Sequence, residues 1–251
     1  MAEFAPAYKI IRDHEGYFAN IPGDKGKRTY AGITEAFNPT WSGWIIINQY
    51  ESTLGRPLRT NEQVPNVENS VYLFYKAWWD RLALYNIKDQ AIANFIFDFV
   101  VNSSSTGVLY TEQVLQNIFK APLKADRTFD AATIAAINAA DPAKLLRELV
   151  GARENLYKAL AAQVTTYVAV AGDTLQSVAQ KYGEKLSDLS RWNPGLSELA
   201  AGVKVTLKIQ EKFLSGWLSR LRSFKTTSPT VIGGVVIVVV ALIFFLIAIK
   251  N

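Results

Sequence analysis

The sequence contains no cysteine and only one histidine, His14. The absence of cysteine excludes disulfide bonds and thiolate metal ligands. A single histidine excludes a zinc site built from several histidines, and any Ser-His-Asp triad would have to use His14. Carboxylates are therefore the leading candidates for catalysis, and we expect neither a metal ion nor a cofactor.

The sequence also has little excess charge of one sign, with 27 Lys and Arg against 22 Asp and Glu and a formal net charge of +5. A surface of this kind is mildly attractive to anionic polymers or anionic lipid. The balance fits teichoic acid, a membrane face or nucleic acid equally well. Because no long run of basic residues accompanies it, we do not expect nucleic-acid binding.

The N-terminus, MAEFAPAYKIIRDHEG, shows no basic start followed by an apolar run and a small-residue cleavage site, so no secretory signal is recognised. The long hydrophobic run lies at the other end, where 231–249 carries no charge. As a helix these residues would span about 28 Å, close to the thickness of a bilayer core. The pattern predicts a transmembrane helix over residues 230–250.

A basic amphipathic linker is predicted just before this span, over residues 211–229. Its apolar residues share a helical face that includes Trp217, opposite Arg220 and Arg222. Such a segment suits the membrane interface, with Trp217 at the depth of the headgroups. The alternative is a plain helical spacer.

The first helix places a carboxylate on an apolar stripe. Phe4, Tyr8, Ile11 and Glu15 recur at helical spacing, and Gly16 follows as a predicted C-cap. Glu15 either extends into solvent beyond the last turn or serves a site. After it comes NIPGDKGKRTYAGIT, which has the turn chemistry of a loop or short hairpin.

Two later segments have unusual helical patterns. SVYLFYKAWWDRLAL carries an aromatic stripe that is typical of a core, although Trp78 or Trp79 could edge a sugar cleft. QAIANFIFDFVVN carries a polar stripe on an otherwise apolar segment, which predicts a central helix with one strip facing a groove or, more simply, water. The stripe consists of Gln90, Asn94, Asp98 and Asn102.

The second half of the chain is predicted to contain helices over 111–163, with a short βααβ unit over 165–210. The predicted fold is therefore mainly α. It has a helical N-terminal domain over 1–110, which the 111–163 segment completes, then the βααβ domain, the linker and the span.

Hydrolysis of a glycosidic bond needs an acid for the leaving oxygen and a second group that stabilises positive charge or prepares a water. Glu15, Asp24 and Thr29 are spaced so that one side chain sits on a helix and the others fold back over it.

The run EGYFANIPGDKGKRTYAGIT resembles the signature of glycoside hydrolase family 108, the phage and bacterial N-acetylmuramidases. The matching positions are Glu15, Gly16, Asn20, Pro22, Asp24, Gly26, Thr29, Gly32, Ile33 and Thr34. YKAWWDRL and FDFVVNSS are similar to the later helices of the family, and the region from Leu115 to Ala162 resembles the helical peptidoglycan-binding segment that often follows. The resemblance covers roughly residues 4–162. Tyr17, Phe18 and Lys27 depart from the pattern and would remodel the cleft floor.

The resemblance implies a lysozyme-like catalytic domain and assigns roles to its residues. Glu15 would be the general acid, Asp24 the ionised partner, and Thr29 the residue that holds a water. It also implies a glycan groove with four further contact residues, namely Asn20, Tyr30, Asp98 and Asn102.

The βααβ segment, YVAVAGDTLQSVAQKYG with LSDLSRWNPG and GVKVTL, is similar to LysM domains, which bind glycans containing N-acetylglucosamine. The residues that this implies for glycan binding are Gly172, Asp173, Thr174, Asn193 and Pro194. The alternative is a LysM-like fold used as a structural adaptor.

Together these resemblances imply a muramidase that binds peptidoglycan and is anchored in a membrane by its C-terminal helix. The basic residues before the span, against Lys250 alone beyond it, would place the domains in the cytoplasm of a producing cell. Three accounts remain open: a phage or injection-system component with structural partners, an endolysin, or an exported tail-anchored protein. A rival is a noncatalytic membrane-anchored component that only binds the wall.

Overall fold

The computed structural model describes residues 1–20, 27–196 and 198–225 of the 251-residue chain. The described part is mainly helical and contains two small antiparallel sheets, in agreement with the predicted fold class. It divides into two compact units. The first holds Met1–Arg153 together with the end of the last helix from Ser223, and the second holds Glu154–Arg222.

The first unit is built around one buried helix. Its helices are α1 (Phe4–His14), α2 (Gly43–Leu54), α3 (Glu68–Arg81), α4 (Gln90–Ser103), α5 (Ser105–Ile118), α6 (Ala131–Ala139) and the start of α7 (Pro142–Ala161), with a 3-10 turn at Leu84–Asn86. Helix α4 packs against α1 and α5, and nearly all of its residues from Ile92 onward are buried. The apolar composition of this segment predicted a central helix, and the prediction is confirmed.

A small sheet follows α1 in the chain. Its strands β1 (Phe18–Asn20), β2 (Arg28–Tyr30) and β3 (Ile33–Thr34) are antiparallel in that order. Tyr30 pairs with Ile33, so Ala31 and Gly32 form a two-residue turn, and both have positive φ, 50° and 78°. This is the type I′ geometry that suits the twist of a tight hairpin. The predicted hairpin is confirmed there, whereas residues 21–26 lie outside the described part.

Aromatic side chains fill the space between α1, α3 and α4. Phe4 packs on Trp79 and Phe97 with ring centroids 5.7 and 5.9 Å apart, and Trp79 meets Phe97 edge-on at 5.4 Å. Trp79 is 1% exposed, so it belongs to the core and does not edge a cleft. Trp78, by contrast, is half-buried.

The second unit has the predicted βααβ order. It consists of β4 (Thr165–Val168), α8 (Leu175–Tyr182), α9 (Leu186–Trp192) and β5 (Lys204–Leu207), followed by a 3-10 turn at Glu211–Phe213 and by α10 (Leu214–Lys225). The two strands pair antiparallel. Val178, Leu189, Val205 and Leu207 are among the residues that fill its core.

The predicted transmembrane span, residues 230–250, lies outside the described residues. Within the described ranges, no helix has the length and apolarity that a bilayer crossing requires. The linker prediction is corrected at Trp217, which is 3% exposed and stacks on Tyr157 at 5.2 Å. A tryptophan buried by this packing does not lie at headgroup depth.

Candidate active site

Glu15 stands at the point where α1 ends. Its backbone N–H still donates to the carbonyl of Ile11 at 2.8 Å, but its own backbone is extended, with φ −88° and ψ 125°. The C-cap is therefore Glu15 rather than Gly16, one residue earlier than predicted. The change of direction carries the half-buried side chain away from the helix and toward the hairpin.

The carboxyl group of Glu15 rests against the β2–β3 turn. A Cβ placed on Gly32 would lie 2.8 Å from Glu15 Oε2 and 3.0 Å from Glu15 Cδ. The same point lies 2.7 Å from the hydroxyl of Tyr75. Only a residue without a side chain leaves room here. Gly32 therefore allows the positive φ of the turn and also leaves space for the Glu15 carboxyl group.

A polar network of Arg12, Glu68 and Tyr8 holds the backbone beside Glu15. Arg12 Nη1 donates to the carbonyl oxygen of Glu15 at 3.1 Å, and Arg12 also pairs with the Glu68 carboxylate at 2.9 Å. The hydroxyl of Tyr8 donates to the same carboxylate at 2.5 Å. Burial and this hydrogen bond raise the pKa of Tyr8, so the phenol stays protonated.

The sequence interpretation did not identify this network. Arg12 lies one helical turn before Glu15, and that spacing was an available signal. Glu68 is 56 residues from Arg12, so only the packing of α3 on α1 reveals the contact.

Of the other two predicted catalytic residues, Asp24 lies outside the described residues. Thr29 lies in the middle of β2, opposite Ala19 on one side and Thr34 on the other. It is 4% exposed, and in the described part of the chain its hydroxyl has no hydrogen-bond partner. A buried hydroxyl without a partner is costly to folding. Among the residues described, no group of three or more His, Asp and Glu could hold a metal ion.

The two predicted glycan contacts on the sheet differ in exposure. Asn20 is exposed at the end of β1, opposite Arg28. Tyr30 is 1% exposed, and its hydroxyl accepts a hydrogen bond from the backbone N–H of Val64 at 3.1 Å. Its side chain is therefore part of the core, which corrects its prediction as a sugar contact.

The polar stripe of α4 does not open to a groove at Asp98 and Asn102. Asp98 is fully buried and pairs with the equally buried Arg153 at 2.6 Å. The guanidinium lies over the rings of Phe95 and Phe99 at 5.6 and 4.9 Å. Asn102 is 5% exposed, and its amide donates to the Asp98 carbonyl at 2.8 Å. Both predictions as groove residues are corrected, because a buried arginine neutralises the acid inside the core.

In the second unit, the residues predicted to bind glycan around Gly172 stabilise a turn. Gly172 has φ 87° and is exposed. Asp173 accepts hydrogen bonds from the Tyr167 hydroxyl at 2.6 Å and the Val170 backbone at 2.8 Å, and these bonds lower the pKa of Asp173. Thr174 is the N-cap of α8 and forms a capping box with Ser177.

Asn193 and Pro194 lie at the end of α9. Asn193 is 6% exposed and bridges α9 to β5, because its amide donates to the carbonyls of Leu189 and Thr206 while its oxygen accepts from the Thr206 N–H. Pro194 is exposed. Most residues of this motif thus have a role in the fold, and Gly172 and Pro194 leave their surfaces open.

Comparison with known proteins defines the class of each half. Residues 8–104 match the family model described as Glycosyl hydrolase 108, and residues 110–222 match the one described as Predicted Peptidoglycan domain. The described part of the chain therefore carries a glycoside hydrolase domain followed by a peptidoglycan-binding domain. More particularly, the catalytic domain is of the glycosyl hydrolase 108 type, and the pair supports a peptidoglycan hydrolase.

The second match includes the βααβ unit together with helices α5 to α7, and no LysM domain is among the family matches. No curated protein matches the sequence. A similar solved structure is titled "Structure of Brucella abortus SagA". It is 18% identical, with a TM-score of 0.44 and coverage of 90% of this chain and 97% of that one.

Proposed function

We propose that the protein is an N-acetylmuramidase that cleaves the β-1,4 bond between N-acetylmuramic acid and N-acetylglucosamine in peptidoglycan, with Glu15 as the general acid. One observation carries the proposal. In a domain of the glycosyl hydrolase 108 type, the half-buried carboxyl group of Glu15 leaves the end of a helix and rests against the glycine of a tight turn. A fixed, partly exposed acid is what protonation of a leaving oxygen needs.

The remaining chemistry is assigned to Asp24 and Thr29. An oxocarbenium-like transition state needs an ionised carboxylate or an oriented water, and Asp24 would supply the charge. Thr29 would hold the water, and its buried hydroxyl, which has no partner in the described part of the chain, supports this role. Asn20, exposed at the end of β1, remains our proposed sugar contact in this domain.

The second unit is proposed to bind glycan in the manner of a LysM domain. The βααβ order and the sequence motif support this, and the exposed surfaces at Gly172 and Pro194 would meet the sugar. Asp173, Thr174 and Asn193 would act by fixing the two turns that present those surfaces. We propose 165–210 as the boundaries of this module and 1–110 as the catalytic domain. Residues 111–163 would be a helical peptidoglycan-binding segment that completes the catalytic domain, and the peptidoglycan family match over 110–222 supports the binding role.

The cellular context is proposed from the sequence alone. Residues 230–250 would anchor the protein in a membrane, and residues 211–229 would link the anchor to the wall-binding module. A phage or phage-like injection particle would bring such an enzyme to the wall.

Glu15→Gln tests the enzymatic proposal. The substitution keeps the shape of the side chain but removes the proton, so release of reducing ends from purified sacculi is expected to fall by about a thousandfold, within the range for a general acid. Thermal unfolding should change little. Asp13→Asn is the matched control, since Asp13 is an exposed neighbour that pairs with Lys9.

A fully active Glu15→Gln variant would remove Glu15 from the mechanism. A wild-type protein that binds sacculi without releasing reducing ends would instead support the noncatalytic, wall-binding anchor.

A further inference from the structure

The turn beside Glu15 is conformationally demanding. Ala31 has φ 50° although it carries a side chain, and it is fully buried. A non-glycine residue in this region is strained unless its surroundings fix it. Two hydrogen bonds do so here. The Ala31 N–H donates to the Tyr17 carbonyl at 3.2 Å, and the Ala31 carbonyl accepts from the Tyr75 hydroxyl at 2.7 Å.

Tyr75 reaches this turn from a rigid position on α3. It is 3% exposed, and its ring packs edge-on against Phe74 at 5.4 Å and tilted toward Tyr8 at 6.3 Å. Packing on both sides leaves the ring little freedom to move. The packing of α3 therefore positions the Tyr75 hydroxyl at the turn, independently of the pairing of the strands.

The same hydroxyl and the Glu15 carboxyl group share one small space. Tyr75 Oη lies 2.7 Å and Glu15 Oε2 lies 2.8 Å from the point where a side chain at Gly32 would begin. A shift of the turn by a fraction of an ångström would thus change the position of the Glu15 carboxyl group. Catalytic groups lose activity when their position relaxes by distances of this order.

We propose that Tyr75 is a positioning residue for Glu15: by holding the strained Ala31–Gly32 turn, its hydroxyl fixes the surface against which the catalytic carboxyl group rests. This inference depends on the proposed function, in which Glu15 is the acid. Tyr75 itself is not assigned a proton-transfer role.

Tyr75→Phe tests the proposal, because it removes the hydroxyl and keeps the packed ring. We expect kcat on a soluble peptidoglycan oligosaccharide to fall by about tenfold with KM unchanged, which corresponds to the loss of an interaction needed only for the chemical step. The control is Tyr72→Phe on the same helix, where the ring is 37% exposed. That variant should keep wild-type kcat and KM.

A second pair of variants separates displacement of the carboxyl group from backbone strain. Gly32→Ala places a Cβ against both Glu15 and Tyr75, whereas Gly55→Ala, at a similar positive φ of 64°, meets no atom within 4 Å. Both substitutions strain the backbone. We expect Gly32→Ala to lose at least as much kcat as Tyr75→Phe and Gly55→Ala to keep it.

The outcomes are distinguishable from failure of the proposed function. If Glu15→Gln is inactive while Tyr75→Phe keeps wild-type kcat, the positioning role is wrong and the acid stands. The role is also wrong if kcat falls equally in Gly32→Ala and Gly55→Ala. If Glu15→Gln is fully active, both proposals fail together.

Discussion

Two helices of the first unit carry a carboxylate among apolar residues, and the two carboxylates differ in their surroundings. Glu15 is at the C-terminal end of α1, half-buried, with its side chain against a turn. Asp98 is in the middle of α4, fully buried and paired with Arg153. An acid at a helix end can reach a surface where substrate has access. An acid in the middle of a central helix must be neutralised internally, because burying a lone charge is expensive.

Helical spacing alone therefore does not separate an acid that we propose to be catalytic, Glu15, from a structural one, Asp98. Both residues continue a regular helical stripe: Glu15 follows Phe4, Tyr8 and Ile11, and Asp98 follows Gln90 and Asn94. The position of the acid relative to the ends of its helix and the presence of a distant counter-charge decide between the two roles. The predictions below test that distinction.

The largest effect on stability is expected at the buried pair. Arg153→Met leaves the Asp98 carboxylate in the core without its guanidinium, which should destabilise the fold by about 3–5 kcal/mol. In a protein of this size the melting temperature would fall by roughly 10 °C. Thermal denaturation measures the change, and lysis of sacculi well below the transition should persist.

The same substitution at an exposed site of the same helix provides the control. Arg147 is 68% exposed on its side chain, so Arg147→Met should leave the melting temperature nearly unchanged. Adding Asp98→Asn to Arg153→Met should restore part of the lost stability. If Arg153→Met abolishes lysis at full stability, the pair belongs to the site and the comparison is broken.

A smaller effect, of opposite sign for stability and activity, is expected at Thr29. Thr29→Val keeps the shape but removes a buried hydroxyl that has no partner in the described part of the chain, so the fold should gain about 1 kcal/mol. If the hydroxyl holds the reacting water, kcat should fall by about tenfold, or roughly 1.4 kcal/mol of barrier. Measuring the melting temperature and kcat of the same variant tests both the expected gain in stability and the expected loss of activity.

Thr29→Ser keeps the hydroxyl and serves as the reference for that experiment, with turnover near wild type. A valine variant that is more stable and fully active would show that the Thr29 hydroxyl has no catalytic role.

The smallest effect on stability is expected at a third carboxylate, Glu112 on α5. It is buried like Asp98, but its hydrogen bond comes from a backbone N–H group and not from a guanidinium. It is fully buried, and Oε2 accepts from the Arg127 N–H at 2.9 Å. Burial raises the pKa of Glu112, so the folded state holds the proton to a higher pH than the unfolded chain does. Its contribution to stability is complete below the ordinary glutamate pKa of about 4.3 and is lost as the pH rises through the folded-state pKa.

Glu112→Gln should therefore flatten the decrease in unfolding free energy across that window, measured by denaturant titration at a series of pH values. Glu148→Gln, at a partly exposed residue of α7, is the matched control for the loss of one carboxylate. An unchanged slope in Glu112→Gln would show that its proton is not coupled to folding.

Much of the architecture followed from local patterns. The helical stripes of α1, α3 and α4 and the βααβ order depend on spacing that can be read along the chain. Tight turns were partly predictable from the sequence. Gly32 suits the positive φ of the β2–β3 turn and Thr174 suits the N-cap of α8, whereas Ala31 is not a residue that favours its φ of 50°.

The hydrogen-bond and ion-pair partners of individual polar residues could not be predicted from local sequence in the same way. Asp98 meets Arg153 across 55 residues, and Tyr75 meets Ala31 across 44. The motif that we propose for glycan binding in the second unit shows the same limit, because Asn193 matches the pattern through its bridge between α9 and β5. A sequence signature records residues that the fold requires together with residues that face a ligand.

The sequence by itself determined which segments are helices and strands, where the chain turns, and that Glu15 stands at a helix end in a glycoside hydrolase 108 pattern. These features depend on neighbours a few residues apart, whose backbone preferences and apolar spacing act locally. Only the tertiary structure decided that Asp98 forms an ion pair with Arg153 and that Glu15 lies beside the β2–β3 turn. Charge burial and hydrogen bonding depend on groups that come into contact only when the chain packs. Their effect on the free energy of folding becomes large only where packing has excluded water.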